Sequence, residues 1–129
     1  METLLIAEDS RSNFELLKAS VGRSFIKVLH ARNGLEAVEF CKNDTGIEMV
    51  LMDISMPEMN GYDATRIIRS ARPDLPVIAL TAYINDETEV MLRHSGFNAF
   101  LMKPFQLNEL MVLITKYKKG ESQSSLTGK

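Results

Sequence analysis

Five short apolar runs, at residues 4–7, 27–31, 49–52, 77–80 and 99–102, recur along the chain with stretches of helical spacing between and after them. Runs of that length are too short for helices, and their turn-like flanks make them buried strands. Phe14, Leu17 and Val21 put an apolar stripe on one helix face, as do Gly34, Ala37, Val38 and Cys41. Ala64, Ile67, Ile68 and Ala71 form a third stripe, and Leu107, Leu110, Met111 and Ile114 another. The segment 86–95 is less regular, but Val90, Met91 and Leu92 with Gly96 behind them predict one more helix, ended by a glycine. Strands apolar on both faces that alternate with helices need a helix layer on each side. The expectation is a three-layer α/β domain with a parallel sheet.

Local chemistry agrees with the periodicity. Ser12 with Glu15 has capping-box spacing, and Asn33 with Glu36 and Asp86 with Glu89 resemble it. Pro73 and Pro76 fall between the third helix and the fourth strand, since the interior of neither element tolerates them. From residue 118 onward, "KKGESQSSLTGK" has no apolar periodicity. The domain is expected over residues 1–118, with 119–129 a flexible tail or linker.

A chain of 129 residues suits one core. A net charge of -2, with basic residues dispersed, leaves no footprint for nucleic acid or an anionic membrane. One cysteine, Cys41, excludes an internal disulfide, and its place on an apolar stripe makes it a core residue. No stretch approaches the ~18 apolar residues of a membrane span, and the start is unlike a secretory leader, so a cytoplasmic setting is expected. Met49, Met52, Met102 and Met111 fit strand or core positions, and His30 and His94 have structural or surface roles. Lys116, Lys118 and Lys119 suit the negative end of the last helix.

In an open parallel α/β sheet, ligands bind beyond the carboxyl ends of the strands. There the first strand runs into Glu8 and Asp9, the third into Asp53, the fourth into Thr81 and the fifth into Lys103 and Pro104. Arg32 and Asn33, after the second strand, stay outside the set. Three carboxylates about 5 Å apart repel by roughly 10 kcal/mol in all at an effective dielectric near 20. Lys103 offsets part of this. The remainder calls for a proton or a cation, and an all-oxygen donor set favours Mg2+, with Mn2+ as a substitute. A carboxylate ionised at neutral pH needs no general base to be a nucleophile, so Asp53 beside a metal, Thr81 and Lys103 can become an aspartyl phosphate.

"AED" after the first strand, "LMDISMPEMNG" in the third and beyond, "ALTA" in the fourth and "FLMKPF" in the fifth together resemble the receiver domain of response regulators, over residues 3 to about 117. That resemblance implies a doubly wound, flavodoxin-like five-stranded sheet of order 2-1-3-4-5 with five helices. It implies a phosphorylation-dependent signalling switch that takes a phosphoryl group from a histidine kinase or histidine phosphotransfer protein. Asp53 matches the phosphoacceptor, Asp9 the direct metal ligand, Glu8 the acid that holds metal-bound water, and Ser55 the residue whose backbone carbonyl completes the metal site. Thr81 matches the switch hydroxyl, Lys103 the lysine that pairs with the phosphoryl group, and Phe100 the switch aromatic. Lys103–Pro104 is expected to be a cis peptide. Glu8 stands where an Asp is common, and Phe100, where Tyr is frequent, has no hydroxyl to bond in either position.

Such a module catalyses only its own phosphorylation and dephosphorylation, and contacts neither nucleic acid nor membrane. Phosphorylation is expected to draw Thr81 and Phe100 inward and to reshape the face of the fourth helix, fifth strand and fifth helix, through which a weak dimer could form. Tyr83, two residues past Thr81, is placed to screen the phosphoryl group from water. The wording "AEDS" and "MPEMNG" is similar to receivers joined to hybrid sensor kinases, against a stand-alone regulator as the alternative. A Mg2+-dependent phosphohydrolase would want a second acid two residues past the nucleophile, where Ser55 stands. A pseudo-receiver would have lost the acids or the lysine, and no GxxxxGK[ST] loop is present.

Overall fold

The computed structural model describes residues 3–118. Strand and helix alternate: β1 (Thr3–Ala7), α1 (Arg11–Val21), β2 (Lys27–Ala31), α2 (Gly34–Asn43), β3 (Ile47–Asp53), α3 (Gly61–Ala71), β4 (Val77–Thr81), α4 (Asp86–Ser95), β5 (Ala99–Met102) and α5 (Leu107–Tyr117). A 3-10 turn, Gly22–Ser24, joins α1 to β2. All strand pairs are parallel, in the order β2-β1-β3-β4-β5. The expected tail at 119–129 lies outside the described residues, within which no helix is long and apolar enough to cross a membrane.

Side chains alternate across the sheet with a period of two, which makes two cores. Leu5, Ala7, Val50, Met52, Val77 and Ala79 pack with Ala37, Cys41, Ala64, Ile68 and Leu92 beneath α2, α3 and α4. Leu4, Ile6, Met49, Leu51, Ile78 and Leu80 pack with Phe14, Val21, Leu110 and Ile114 beneath α1 and α5. The runs at β2 and β5 are not fully buried as expected, because each lies at a sheet edge. Lys27 is exposed, Val28, Leu29 and His30 are half-buried, and Met102 is 50% exposed instead of filling the core.

Two helix starts differ from expectation. Ser10, not Ser12, caps α1, its hydroxyl accepting from the Asn13 amide at 3.2 Å, because Ser12 already has helical backbone. Asn85, not Asp86, caps α4. Its extended backbone lets its side-chain oxygen take the Thr88 amide at 2.8 Å while the Thr88 hydroxyl takes the Asn85 amide at 2.7 Å. Asp86, Glu87 and Glu89 then occupy the first turn, where the helix dipole favours negative charge. Asn33 caps α2 through the Glu36 amide, but the Glu36 carboxylate accepts from Arg32, one residue outside a capping box. Lys118 does not serve the end of its own helix: its ammonium donates to the Ser24 carbonyl, over the Phe25 ring.

The far end of α4 is fixed from α3. Gly96 closes the helix at φ 101°, a left-handed conformation that suits glycine. The Arg69 guanidinium donates twice to the Gly96 carbonyl, at 2.7 and 3.1 Å, to Asn98 Oδ1 at 2.8 Å, and to the Leu75, Pro73 and Arg72 carbonyls. One side chain thus gathers the proline-marked link and the α4–β5 turn.

Candidate functional site

Glu8 is held from its backbone outward. Its amide donates to the Ala31 carbonyl at 2.9 Å, and His30 Nε2 donates to its carbonyl at 2.8 Å. His30 is itself fixed by stacking on Phe14, with ring centroids 3.9 Å apart. The Glu8 side chain is 2% exposed, and its Oε2 accepts from the Ser10 amide at 3.1 Å and from Asn13 Nδ2 at 3.4 Å. Its Oε1 is buried with no hydrogen bond, since the Lys103 ammonium stands 3.9 Å away.

Asp53 ends β3 and is buried, and its Oδ1 accepts from the Ser55 amide at 3.3 Å and lies 3.5 Å from Lys103 Nζ. Its backbone is pinned by Gly61, and the loop that follows it by Gly34. A Cβ on Gly61 would come within 2.6 Å of the Asp53 carbonyl oxygen, and one on Gly34 within 2.2 Å of the Met59 carbonyl oxygen. Hydrogen alone fits at both places, so α3 begins against Asp53 and the 54–60 loop docks on the start of α2. Within that loop Glu58 has φ 72°, a conformation rare for a residue with a side chain, and the Met59 amide donates to the Pro57 carbonyl at 2.7 Å.

One carboxylate oxygen from each of Glu8, Asp9 and Asp53 lies within 4.8 Å of the others, with Asp9 exposed to solvent. Burial is the main influence on the two buried acids, and it pushes both carboxyls above their ordinary values. For Glu8 the Ser10 amide opposes burial and the Asp53 charge reinforces it. For Asp53 the Lys103 ammonium opposes burial most strongly, with help from the Ser55 amide. Asp53 is therefore less readily ionised than an ordinary carboxyl, and needs a cation beside it more than the sequence alone implies. The donor set fits a hard divalent ion: the clustered atoms are all oxygens, and the orphaned Glu8 Oε1 faces an ammonium too distant to satisfy it.

Thr81 ends β4 and Lys103 directly follows the neighbouring β5, with the Lys103 amide on the Thr81 carbonyl at 2.7 Å, and the Lys103–Pro104 peptide is cis. The buried Thr81 hydroxyl is turned into its own loop, donating to the Tyr83 carbonyl at 3.2 Å and accepting from the Tyr83 amide at 3.3 Å. Tyr83 is 63% exposed, and its hydroxyl takes a bond from Asn85 Nδ2 at 3.2 Å. Phe100 stands apart from the acids, half-buried on the α4 side of the sheet, with the Arg93 guanidinium 5.8 Å from its ring. Ser55 adjoins the cluster and is exposed. Sequence reasoning missed Asn13 and Gly61, and it gave His30 a structural or surface role without its bond to Glu8. A polar His30 among the apolar residues of a strand was the one available signal.

The family model of the response regulator receiver domain matches residues 4–115. The chain is a response-regulator receiver domain. This receiver is 29% identical over 118 residues to the polar-differentiation response regulator DivK of Brucella anthropi, covering 90% of this chain and 95% of that protein. It is 31% identical over 127 residues to the response regulator SaeR of Staphylococcus aureus, covering 95% of this chain but 55% of SaeR, so it spans about half of that relative. It also resembles the receiver domain of the sensor histidine kinase PA1611 from Pseudomonas aeruginosa, at 30% identity and TM-score 0.79, over 89% of this chain and 95% of that one. That structure holds a magnesium ion coordinated in its active-site cleft.

Proposed function

We propose that Asp53 of this receiver accepts a phosphoryl group from a phosphohistidine donor, a histidine kinase or histidine phosphotransfer protein, in the cytoplasm. The observation that carries this reading is the under-neutralised acid cluster: buried Glu8 and Asp53 beside Asp9, one carboxylate oxygen without a hydrogen bond, and a single lysine ammonium shared between the two buried acids at 3.5 and 3.9 Å. The residues that would hold the cation are Glu8, Asp9, Asp53 and the Ser55 carbonyl, with Mg2+ the resident ion and Mn2+ a substitute. When bound, the ion offsets the charge of the incoming phosphoryl oxygens and of the acids around them.

An Asp53 carboxylate oxygen forms the new bond to phosphorus as the bond from phosphorus to the donor's imidazole nitrogen breaks, and the electron pair leaves with the imidazole. Lys103 turns its ammonium from Asp53 toward the phosphoryl oxygens. Thr81 releases the Tyr83 carbonyl and donates to one of them, which opens room for Phe100. The surface of α4, β5 and α5 then changes, and the exposed Val90, Met91, Met102 and Val112 on these elements suit contacts that include a weak dimer. The receiver catalyses only its own phosphorylation and dephosphorylation. Its motif wording favours attachment to a hybrid sensor kinase over a stand-alone regulator, and Tyr83 shields the phosphoryl group. Incubation with Mg2+ and a small phosphodonor should add one acid-stable, base-labile phosphoryl group per chain. No uptake by the wild type, or equal uptake by Asp53→Ala, would refute the assignment.

A further inference from the structure

The two ends of α4 are held by devices of unequal strength. At its C-terminus the charged Arg69 guanidinium makes two bonds to the Gly96 carbonyl and one to Asn98. At its N-terminus, apart from the backbone, the link toward the site is a single bond between neutral groups, Asn85 Nδ2 to Tyr83 Oη at 3.2 Å, on exposed side chains. Bonds with a charged donor are roughly twice as strong as neutral ones, so the N-terminal end yields first.

The orientation of the Asn85 amide is fixed by its surroundings. Its oxygen is engaged by the Thr88 N–H, so the nitrogen is the atom that faces Tyr83. Tyr83 in turn is bound through both its backbone amide and its carbonyl to the Thr81 hydroxyl. Thr81 is thus bonded to the backbone of Tyr83 and Asn85 to its phenol, so the Tyr83 side chain itself carries the link from the end of the strand beside Asp53 to the first turn of α4.

We propose that Asn85 is a positioning residue whose side-chain amide, acting through Tyr83, ties the first turn of α4 to the Thr81 hydroxyl and so stabilises the unphosphorylated arrangement. The inference rests on the reading of Asp53 as phosphoacceptor. The Thr81 hydroxyl has one proton, and giving it to a phosphoryl oxygen takes it from the Tyr83 carbonyl. The loop from 82 to 85 is then free to move, and with Arg69 holding the other end, α4 swings about Gly96 instead of sliding as a whole.

The test is the affinity of the receiver for beryllofluoride, a tetrahedral phosphoryl mimic, formed with Mg2+ and titrated by calorimetry. Tyr83→Phe removes the acceptor and keeps the ring. Asn85→Ser keeps a good neutral helix cap but is too short to reach Tyr83. Each should bind beryllofluoride about two- to fivefold more tightly than wild type, and the double variant no more tightly than either alone, because all three lack the same bond. The Thr88 and Glu89 amide resonances of the free variants should move toward their positions in loaded wild type, with Gly96 and Phe97 unmoved. Unchanged or weaker affinity, or single effects that multiply in the double variant, would overturn the coupling. Failure of the wild type to bind beryllofluoride would instead overturn the reading of Asp53 and the coupling with it.

Discussion

Asp53 ionises where its charge is poorly solvated, near the Glu8 carboxylate and 3.5 Å from the ammonium of a lysine that is itself one-third exposed. Asp53→Asn should therefore do two opposite things. It abolishes phosphoryl uptake, and in the absence of divalent ions it raises the melting midpoint at neutral pH by several degrees, about 1–2 kcal/mol, by removing a buried like charge. A melt of both proteins without divalent ions checks this. The pH dependence comes from the same raised carboxyls. Between the ordinary carboxyl value and the raised one, the folded chain binds more protons than the unfolded chain, so stability falls as pH rises through that window. Protons would compete with Mg2+ for the same oxygens. Calorimetric Mg2+ affinity should thus weaken as pH falls from about 8 to about 5, and Asp53→Asn should flatten the dependence. Glu8, Asp9, Asp53 and Lys103 were legible in the sequence because each is a charge at the end of an apolar run. The direction of the Thr81 hydroxyl was not, because it depends on how one loop folds back, and neither was the role of Asn13, five residues from the acid it supports.

Elements were legible from periodicity, and their ends were less so. Ser12 and Asp86 were plausible caps by spacing, yet Ser10 and Asn85 won because an extended backbone at those residues satisfies the amides of the first turn. Nothing in the pattern of α3 indicated that its first residue must be glycine. Gly61→Ala brings a methyl group against the Asp53 carbonyl, which should cost about 1–3 kcal/mol and displace the proposed phosphoacceptor. Phosphoryl uptake from a small donor should slow at least tenfold, since a displacement of about 1 Å at a reacting atom costs that much or more. Gly22→Ala is the matched control. Its Cβ would meet only ordinary contacts at 3.6 and 3.7 Å, and uptake should keep its wild-type rate.

At the scale of the whole molecule, the alternation of strands and helices implied a three-layer architecture but did not dictate strand order, which the resemblance supplied. The edge positions of β2 and β5 result from that order, and explain why their apolar runs are partly exposed. The order also sets β1 and β3 side by side, so that residues 44 positions apart, Asp9 and Asp53, offer oxygens to one site.

The division of the interior into two cores has a consequence for how the chain tolerates change. Ile68 lies beneath α3 on one face and Ile114 beneath α5 on the other, both fully buried and in separate clusters. Ile68→Val and Ile114→Val should each cost about 0.5–1.5 kcal/mol, and in denaturant titrations the double variant should lose their sum to within about 0.5 kcal/mol. The sheet thus acts as a mutational partition: one helix layer can drift in sequence without obliging the other to compensate, while the row of charges along the shared strand ends stays in place.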